Sequence, residues 1–330
     1  MTEFDIPNPN NFCGGNFQDW LEVYLTSKCN GKCLWCIDKK GFHPKEHVSV
    51  NVLVKKIVES GKKNIILLGG EPTLYPNLQE LIRKLNIEHK NVYLTTNGSN
   101  LDKRFVDLNL IGLTGLNISI HDYNLRYNYF ITGIYINNLE EKLKNIQLSG
   151  IEVRLNCNCI KGYIDNKDKV LEYIEFAKNM GVHKVRFAEL KDSDEEFVNL
   201  VKMFTYNYGL NEDPYKLGCN HNTVINGVNV NFRLMCGFQT NFRPKPKNPK
   251  QIGKNVLYYN GIIYDGWQMK PKNKQKETKM TDKELIRLLN DVYDNETTTQ
   301  EAFYKIKKAL EKLETENKDL KTYSYNNCRY

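Results

Sequence analysis

Residues 20–36, WLEVYLTSKCNGKCLWC, decide the fold and indicate the chemistry. Residues 20–26 alternate in side-chain character and are rich in β-forming types, which predicts a strand. The strand leads into a loop that carries Cys29, Cys33 and Cys36. Three soft thiol ligands so close together indicate a metal or iron–sulfur site directly after this strand.

Beyond this strand, predicted helices and strands alternate along the chain. The predicted helices span 48–60, 77–85, 139–148, 167–180 and 195–204, and the further strands span 64–68, 91–96, 116–120, 152–160 and 184–190. Alternation of this kind calls for a parallel sheet with crossover helices. Six units predict an α/β fold, a partial (βα)6 TIM-like barrel, in which the chemistry lies at the carboxyl ends of the strands.

The character of the chain changes after about residue 207. Short β-like runs with Asn-Gly turns predict hairpins within 215–270, and a Pro-rich basic loop, RPKPKNPK, lies between them at 243–250. From residue 281 the pattern predicts helices again, because two capping boxes precede apolar stripes. We therefore divide the chain into a lead-in, a core domain, a β-hairpin extension and a helical tail: 1–19, 20–206, 207–270 and 271–330.

One apolar stripe of the tail decides the expected oligomeric state. Phe303, Ile306, Leu310 and Leu313 follow heptad spacing. Left exposed, they would form an apolar patch of a size that monomers rarely carry. We expect the stripe to pack on its own chain in a monomer, and a dimer seam is the alternative.

Composition narrows the class of protein. With 40% hydrophobic and 26% charged residues, the 330-residue chain can bury a large core. The net charge of +8 indicates a Lys-rich solvated surface, and attraction of an anionic substrate is the alternative. Neither a signal peptide nor an apolar run of about 18 residues is predicted. We expect a cytoplasmic protein with reduced thiols and no membrane partner.

The spacing Cys29-x3-Cys33-x2-Cys36 offers three ligands where a [4Fe–4S] cube needs four. One iron would stay open to a small ligand, as in catalytic metal sites. A structural zinc site is the alternative. Such sites usually use four protein ligands, often with a second paired C-x2-C, and this chain has no second pair.

CNGKCLWC at 29–36 and GGEP at 69–72 resemble the two signatures of the radical S-adenosylmethionine (radical SAM) superfamily. The resemblance implies a [4Fe–4S] cluster on the three cysteines and S-adenosyl-L-methionine (SAM) bound to its open iron. It implies reductive cleavage of SAM to a 5′-deoxyadenosyl radical, which abstracts hydrogen from a substrate, while the protein orients the cofactors. It also implies a reductant such as flavodoxin or ferredoxin.

The resemblance further implies SAM contacts at the carboxyl ends of several strands. In the superfamily the GGEP turn presents backbone oxygens and a carboxylate to the ammonium group of SAM, as acceptors should face a cation. TTNG at 95–98 and NISIHD at 117–122 end the third and fourth strands. The implied cofactor-binding residues are Gly69, Gly70, Glu71, Pro72, Trp35, Thr95, Asn97, Ser119, Asn156 and Arg154.

FITG at 130–133 and RLNCNCIKG at 154–162 are similar to one subgroup, which contains the molybdenum-cofactor GTP cyclase-like proteins and the peptide-maturing, SPASM/twitch-type proteins. In that subgroup an Asn of the fifth strand contacts SAM, which implies Asn156 here. The chain lacks the full auxiliary-cluster motif, since Cys219, Cys236 and Cys328 are its only cysteines beyond residue 160. We expect these three to be ordinary thiols, and one auxiliary cluster is the alternative.

Alternation along the fifth strand supports Asn156 independently of any resemblance. A strand places successive side chains on opposite faces. The polar face carries Arg154, Asn156 and Asn158. The apolar face carries Leu155, Cys157 and Cys159. The polar face should line the barrel interior, and Cys157 and Cys159 should pack against helices without binding metal. Arg154 either pairs with a carboxylate of SAM or substrate, or extends to the rim.

No motif in the chain selects a substrate class. A peptide side chain is favoured, on the resemblance to peptide-maturing proteins. The first alternative is a nucleotide, a sugar nucleotide or a nucleic acid, to which the basic loop at 243–250 would contribute. The second is a non-catalytic iron–sulfur or zinc-binding protein that retains the fold.

Overall fold

Six parallel strands form the centre of the structure. This computed structural model describes residues 19–33, 35–190, 196–200, 203, 220–234 and 255–268. The central strands are β1 Trp20–Tyr24, β2 Asn64–Leu68, β3 Asn91–Thr96, β4 Gly115–Ser119, β5 Glu152–Asn158 and β6 Lys184–Ala188. Each pairs in parallel with the next along the chain. The partial (βα)6 barrel is therefore confirmed.

Helices connect these strands on the outside of the sheet. They are α1 Val50–Glu59, α2 Leu78–Ile87, α3 Lys103–Asn109, α4 Leu125–Thr132, α5 Leu139–Leu148 and α6 Lys167–Asn179. Sequence periodicity predicted four of them and missed α3 and α4, which span at most eight residues and bury few side chains. The predicted helix at 195–204 is wrong at its start, because residues 196–199 are not helical and Phe197 forms an isolated bridge with Ile160; residues 200 and 203 are helical, and the other predicted residues lie outside the described part. No helix of the described part is long and apolar enough to cross a membrane.

Two hairpins extend the sheet, one at each edge. Their strands are β7 Asn220–Ile225, β8 Val228–Arg233, β9 Asn255–Tyr258 and β10 Ile263–Asp265. Strand β8 pairs in parallel with β6, and β9 pairs in parallel with β1. The order is therefore β10-β9-β1-β2-β3-β4-β5-β6-β8-β7, an open sheet whose end strands are β10 and β7. The predicted hairpins are confirmed, whereas the tail at 271–330 lies outside the described residues.

The Asn-Gly turn between β7 and β8 has the backbone that the sequence predicts. Asn226 and Gly227 both have positive φ, 51° and 81°. This left-handed pair matches the twist of a two-residue hairpin, which is why Asn-Gly is favoured there. The turn fixes the β7–β8 register and so fixes which side chains of β8 continue the inner face of the sheet.

The two faces of the sheet differ as the alternation predicts. On β5, Val153, Leu155 and Cys157 are buried against the helices, while the intervening polar side chains are half-buried on the inner face. Cys157 and Cys159 are 0% exposed and belong to the main apolar core. The prediction that both thiols are core side chains on the helix layer is confirmed.

We predict that Cys157→Ala and Cys159→Ala each lower the free energy of unfolding by about 1 kcal/mol, because each removes one buried atom and leaves a small cavity. Iron content after anaerobic reconstitution should not change. Urea unfolding and an iron assay on the same preparations measure both quantities. A loss of iron in either variant would contradict the assignment of these thiols to the core.

Candidate active site

The cysteine loop follows β1 at the carboxyl edge of the sheet. Cys29 is exposed, and Cys33 and Cys36 are half-buried. The loop turns back on itself, because the N–H of Gly31 donates to Sγ of Cys29 at 3.2 Å and the N–H of Cys36 donates to the carbonyl of Cys33 at 3.3 Å. The three thiols therefore sit on one compact turn.

The GGEP turn after β2 packs directly on the start of this loop. The N–H of Gly70 donates to the carbonyl of Thr26 at 2.6 Å, and the N–H of Glu71 donates to the carbonyl of Lys28 at 2.8 Å. A Cβ at Gly69 would lie 2.5 Å from the Thr26 oxygen, and one at Gly70 would overlap the Lys28 carbonyl. Both glycines are required because two backbones meet without room for a side chain.

The Glu71 carboxylate joins this turn to the end of β3. It is 1% exposed and accepts four hydrogen bonds. The donors are the backbone N–H and hydroxyl of Thr73, at 3.0 and 2.6 Å, the hydroxyl of Thr96 at 2.7 Å, and the N–H of Asn97 at 2.8 Å. A buried charge is tolerated when it is bonded in this way. Oε1 accepts three of these hydrogen bonds and Oε2 accepts one.

The TTNG turn after β3 also holds the cysteine loop. Asn97 Nδ2 donates to Oδ1 of Asn30 at 2.8 Å, and Asn30 Nδ2 donates to the Ser99 hydroxyl at 2.9 Å. From the other side, the N–H of Lys32 donates to the carbonyl of Thr132, the last residue of α4, at 2.7 Å. The loop is therefore fixed from three elements.

Trp35 packs edge-on against His121, with ring centroids 5.2 Å apart and planes at 86°. His121 is 6% exposed, and its Nδ1 accepts from the N–H of Asn158 at 3.0 Å. This bond requires the proton on Nε2. Beyond the cysteines, the Tyr24 hydroxyl donates to Asp38 at 2.5 Å, so the far side of the loop is tied back to β1.

The donor set of the loop fits an iron–sulfur cluster. Burial raises the pKa of Cys29, and raises that of Cys33 to about 12, with the Cys36 charge adding to the latter. Iron binding must therefore release protons from these thiols. Soft thiolates in this number suit a cluster with one open iron.

The other implied cofactor residues lie at neighbouring strand ends. Thr95 Oγ1 accepts from Asn117 on β4 at 3.2 Å, and Ser119 is in register with Asn156 on β5. The Asn156 Oδ1 accepts from Nε of Arg154 at 3.0 Å. Pro72 begins a buried 3-10 turn behind the GGEP backbone. The structure thus brings these residues to one edge or one inner face of the sheet.

Sequence reasoning missed two arginines of that inner face. Arg186 on β6 and Arg233 on β8 are half-buried and follow the same alternation as Arg154. The signal was present, since Arg186 stands between Val185 and Phe187, which are buried against the helix layer. The alternation argument used for β5 applies equally to β6 and β8.

We predict that Glu71→Ala lowers the free energy of unfolding by roughly 3 kcal/mol, because several buried donors lose their acceptor. Glu71→Gln should cost less, since it keeps one acceptor oxygen. Glu88→Ala, at an exposed helix end, is the control and should change stability little. Urea unfolding measures stability, and calorimetry measures SAM affinity. Unchanged stability combined with lost SAM affinity would indicate a direct contact to SAM instead.

His121 makes the site sensitive to acid. Burial lowers the pKa of His121 to about 4, against about 6.5 in the unfolded chain. As pH falls the unfolded chain takes up this proton first. The contribution of neutral, buried His121 to the free energy of unfolding is therefore complete above pH 6.5 and is lost by pH 4. About 2 kcal/mol is lost between pH 7 and pH 5.

His121→Asn keeps an acceptor for the Asn158 N–H and does not titrate, so we predict a smaller acid loss in this variant. Urea unfolding at pH 7 and pH 5 measures the difference. Burial raises the pKa of Asp122 to about 6, which acts in the opposite direction but is common to both proteins. If the free energy of unfolding falls equally between pH 7 and pH 5 in the two proteins, His121 does not cause the loss of stability in acid.

Comparison with known proteins identifies the domain that carries this site. The family model of the radical SAM superfamily matches residues 23–177. The GTP 3′,8-cyclase of Aquifex aeolicus is 28% identical over 252 residues, 73% of this chain and 71% of that protein. The GTP 3′,8-cyclase of Helicobacter pylori (strain J99) is 32% identical over 186 residues, 53% of this chain and 56% of that protein.

A solved structure agrees on the fold. Streptococcus suis SuiB, bound to its precursor peptide SuiA, superposes with a TM-score of 0.56 at 15% sequence identity. The match covers 78% of this chain and 60% of the SuiB chain, so this chain spans less than two thirds of that protein. Residues 23–177, in which the cysteine loop and the GGEP turn are joined as described, match the radical SAM superfamily, so this chain carries a radical SAM domain.

Proposed function

We propose that this protein cleaves SAM reductively and uses the resulting radical on a substrate held inside the barrel. The observation that carries the proposal is the joining of the cysteine loop to the GGEP turn through backbone bonds at Thr26 and Lys28. When bound, the [4Fe–4S] cluster supplies the electron that breaks a C–S bond of SAM to give the 5′-deoxyadenosyl radical. An external reductant, such as flavodoxin or ferredoxin, supplies that electron.

The chain's own residues bind and orient. Cys29, Cys33 and Cys36 hold three irons and leave the fourth to SAM. Glu71 acts through the turn, because its carboxylate is buried and already accepts four hydrogen bonds from the protein; the backbone oxygens of the turn then face SAM. Ser119 on β4 and Asn156 on β5 contribute hydrogen-bond acceptors and donors to SAM.

For the substrate, we propose a nucleotide in preference to a peptide. The relatives named GTP 3′,8-cyclase reach 28–32% identity, whereas the peptide-bound SuiB structure, at 15% identity, speaks for the fold alone. This reverses the preference for a peptide drawn from the sequence. GTP itself is not proposed, because the cysteine spacing beyond residue 160 differs from that of GTP cyclases of the subgroup, and Cys219, Cys236 and Cys328 lie outside the described residues.

We predict about four irons per chain after anaerobic reconstitution, all lost when Cys29, Cys33 and Cys36 are replaced together by Ala. The reduced wild-type protein should release 5′-deoxyadenosine and methionine from SAM. The matched control is the Cys157→Ala, Cys159→Ala double variant, which removes two core thiols and should retain iron. Full iron and sulfide in the triple variant would refute the assignment.

The substrate class is tested by what accelerates SAM cleavage. Nucleoside triphosphates added to the reduced enzyme should raise the rate of 5′-deoxyadenosine release, and peptides should not. Liquid chromatography measures the product. Acceleration by peptides alone would return the preference to a peptide substrate. Iron binding without any SAM cleavage would favour the non-catalytic alternative.

A further inference from the structure

The cysteine loop and the turn after it are rich in exposed lysines. Residues 27–45 contain five lysines and a single carboxylate, Asp38. Four of these lysines are exposed, and we call them the lysine face: Lys28, Lys32, Lys39 and Lys45. Among the described residues, no carboxylate forms an ion pair with any of the four. Asp38 has other partners, since it accepts from the Tyr24 hydroxyl at 2.5 Å and lies 3.2 Å from Nε2 of His43.

Lysines on the outer helices are paired instead. Nζ of Lys84 on α2 lies 2.8 Å from a carboxylate oxygen of Glu80, and Nζ of Lys169 on α6 lies 2.9 Å from one of Asp165. Both pairs have i,i+4 spacing, so the local sequence supplies the opposite charge. Within the described ranges, the lysine face has no such local partner. A concentration of one charge beside a reactive site attracts a partner of the opposite charge and steers its approach.

An exposed aromatic ring belongs to the same segment. Phe42 is 39% exposed, and its ring centroid lies 6.1 Å from that of Tyr264 on β10. The N–H of Phe42 donates to the carbonyl of Gln268 at 2.9 Å, and the Tyr259 hydroxyl donates to the carbonyl of Pro44 at 2.8 Å. The β9–β10 hairpin therefore holds this segment in place. A surface that is already formed loses little conformational entropy when a partner binds.

Cys29 brings the metal ligands to this surface. It is the exposed one of the three loop cysteines and directly follows Lys28. A protein docked on the lysine face would therefore lie close to a cluster held by the loop. Electron transfer between proteins needs this proximity, because its rate falls steeply with distance. Electron-transfer partners also form small, transient interfaces, for which steering by charge is important.

We propose that the lysine face and Phe42 dock a small acidic electron-transfer protein of the flavodoxin type. The inference rests on the proposed reductive cleavage of SAM and specifies where the electron enters. In the complex, the anionic flavin hydroquinone gives one electron to the cluster and becomes the neutral semiquinone, so that no proton and no covalent bond is exchanged. The lysines pair with carboxylates around the flavin, and Phe42 contacts the apolar edge of the flavin ring.

The binding experiment uses the full-length protein with its cluster reconstituted, and oxidised flavodoxin as the probe, so that no electron moves. The Lys39→Glu, Lys45→Glu double variant is compared with Lys144→Glu, Lys178→Glu, which reverses two exposed lysines of α5 and α6 and changes the net charge equally. Calorimetry should give at least a tenfold weaker flavodoxin Kd in the first variant and less than a twofold change in the control. Added salt should weaken wild-type binding.

Electron transfer is measured separately by stopped flow. Oxidation of flavodoxin hydroquinone, at concentrations below the wild-type Kd, should be at least tenfold slower with the Lys39→Glu, Lys45→Glu variant than with wild type. Dithionite reduces the protein without a docked partner. Release of 5′-deoxyadenosine driven by dithionite should therefore stay within twofold of wild type in this variant. Phe42→Ala keeps every charge, so it should weaken flavodoxin binding while leaving the salt dependence unchanged.

If the double variant loses iron, the single variants Lys39→Gln and Lys45→Gln replace it, and each should weaken flavodoxin binding at least threefold. Unchanged flavodoxin affinity in these variants, equal weakening in the control, or wild-type binding of a [2Fe–2S] ferredoxin without binding of flavodoxin would each overturn the inference. A wild-type protein that binds flavodoxin but cleaves no SAM with dithionite would refute the proposed function and leave the docking surface standing.

Discussion

The organisation of the site depends on one buried carboxylate. Glu71 accepts four hydrogen bonds from three residues at the ends of β2 and β3, and it is almost fully removed from water. A carboxylate in that position is stable only while every donor stays in place. The turn it fixes is the one whose backbone holds Thr26 and Lys28. The geometry of the cysteine loop therefore depends on Glu71, a side chain that does not bind iron.

The two hairpins give the inner face different chemistry at its two sides. Beside β6, the β7–β8 hairpin adds Asn231 and Arg233, which extend a polar and positively charged wall. Beside β1, the β9–β10 hairpin adds aromatic rings that pack on Tyr24, including Tyr258 at a ring-centroid distance of 5.0 Å. A radical formed near the cysteine loop would thus face an aromatic side and a cationic side.

Local sequence signals were sufficient for the core of the fold. The bounds of β2 and β3 and of α5 agree with the predicted ones, because these segments have strong apolar periodicity and clear turn signals. The alternation of side chains along β5 also predicted correctly that Cys157 faces the helix layer. The parallel pairing of β9 with β1 was not predictable, since no local pattern specifies a partner more than 200 residues away. The hydrogen bonds that the protein itself makes to Glu71 were not predictable for the same reason, since two of the four donors come from β3 and the turn after it.

The pairing of β9 with β1 also has a consequence for biosynthesis. Until residues 255–265 have left the ribosome, β1 is an edge strand with unpaired backbone groups, and β6 is the other edge until β8 is made. Exposed edges of this kind template pairing with other chains. A nascent or prematurely terminated chain would hold the complete cysteine loop yet remain prone to aggregation. Production of the protein therefore favours slow expression and chaperone-rich hosts over truncated versions of the core.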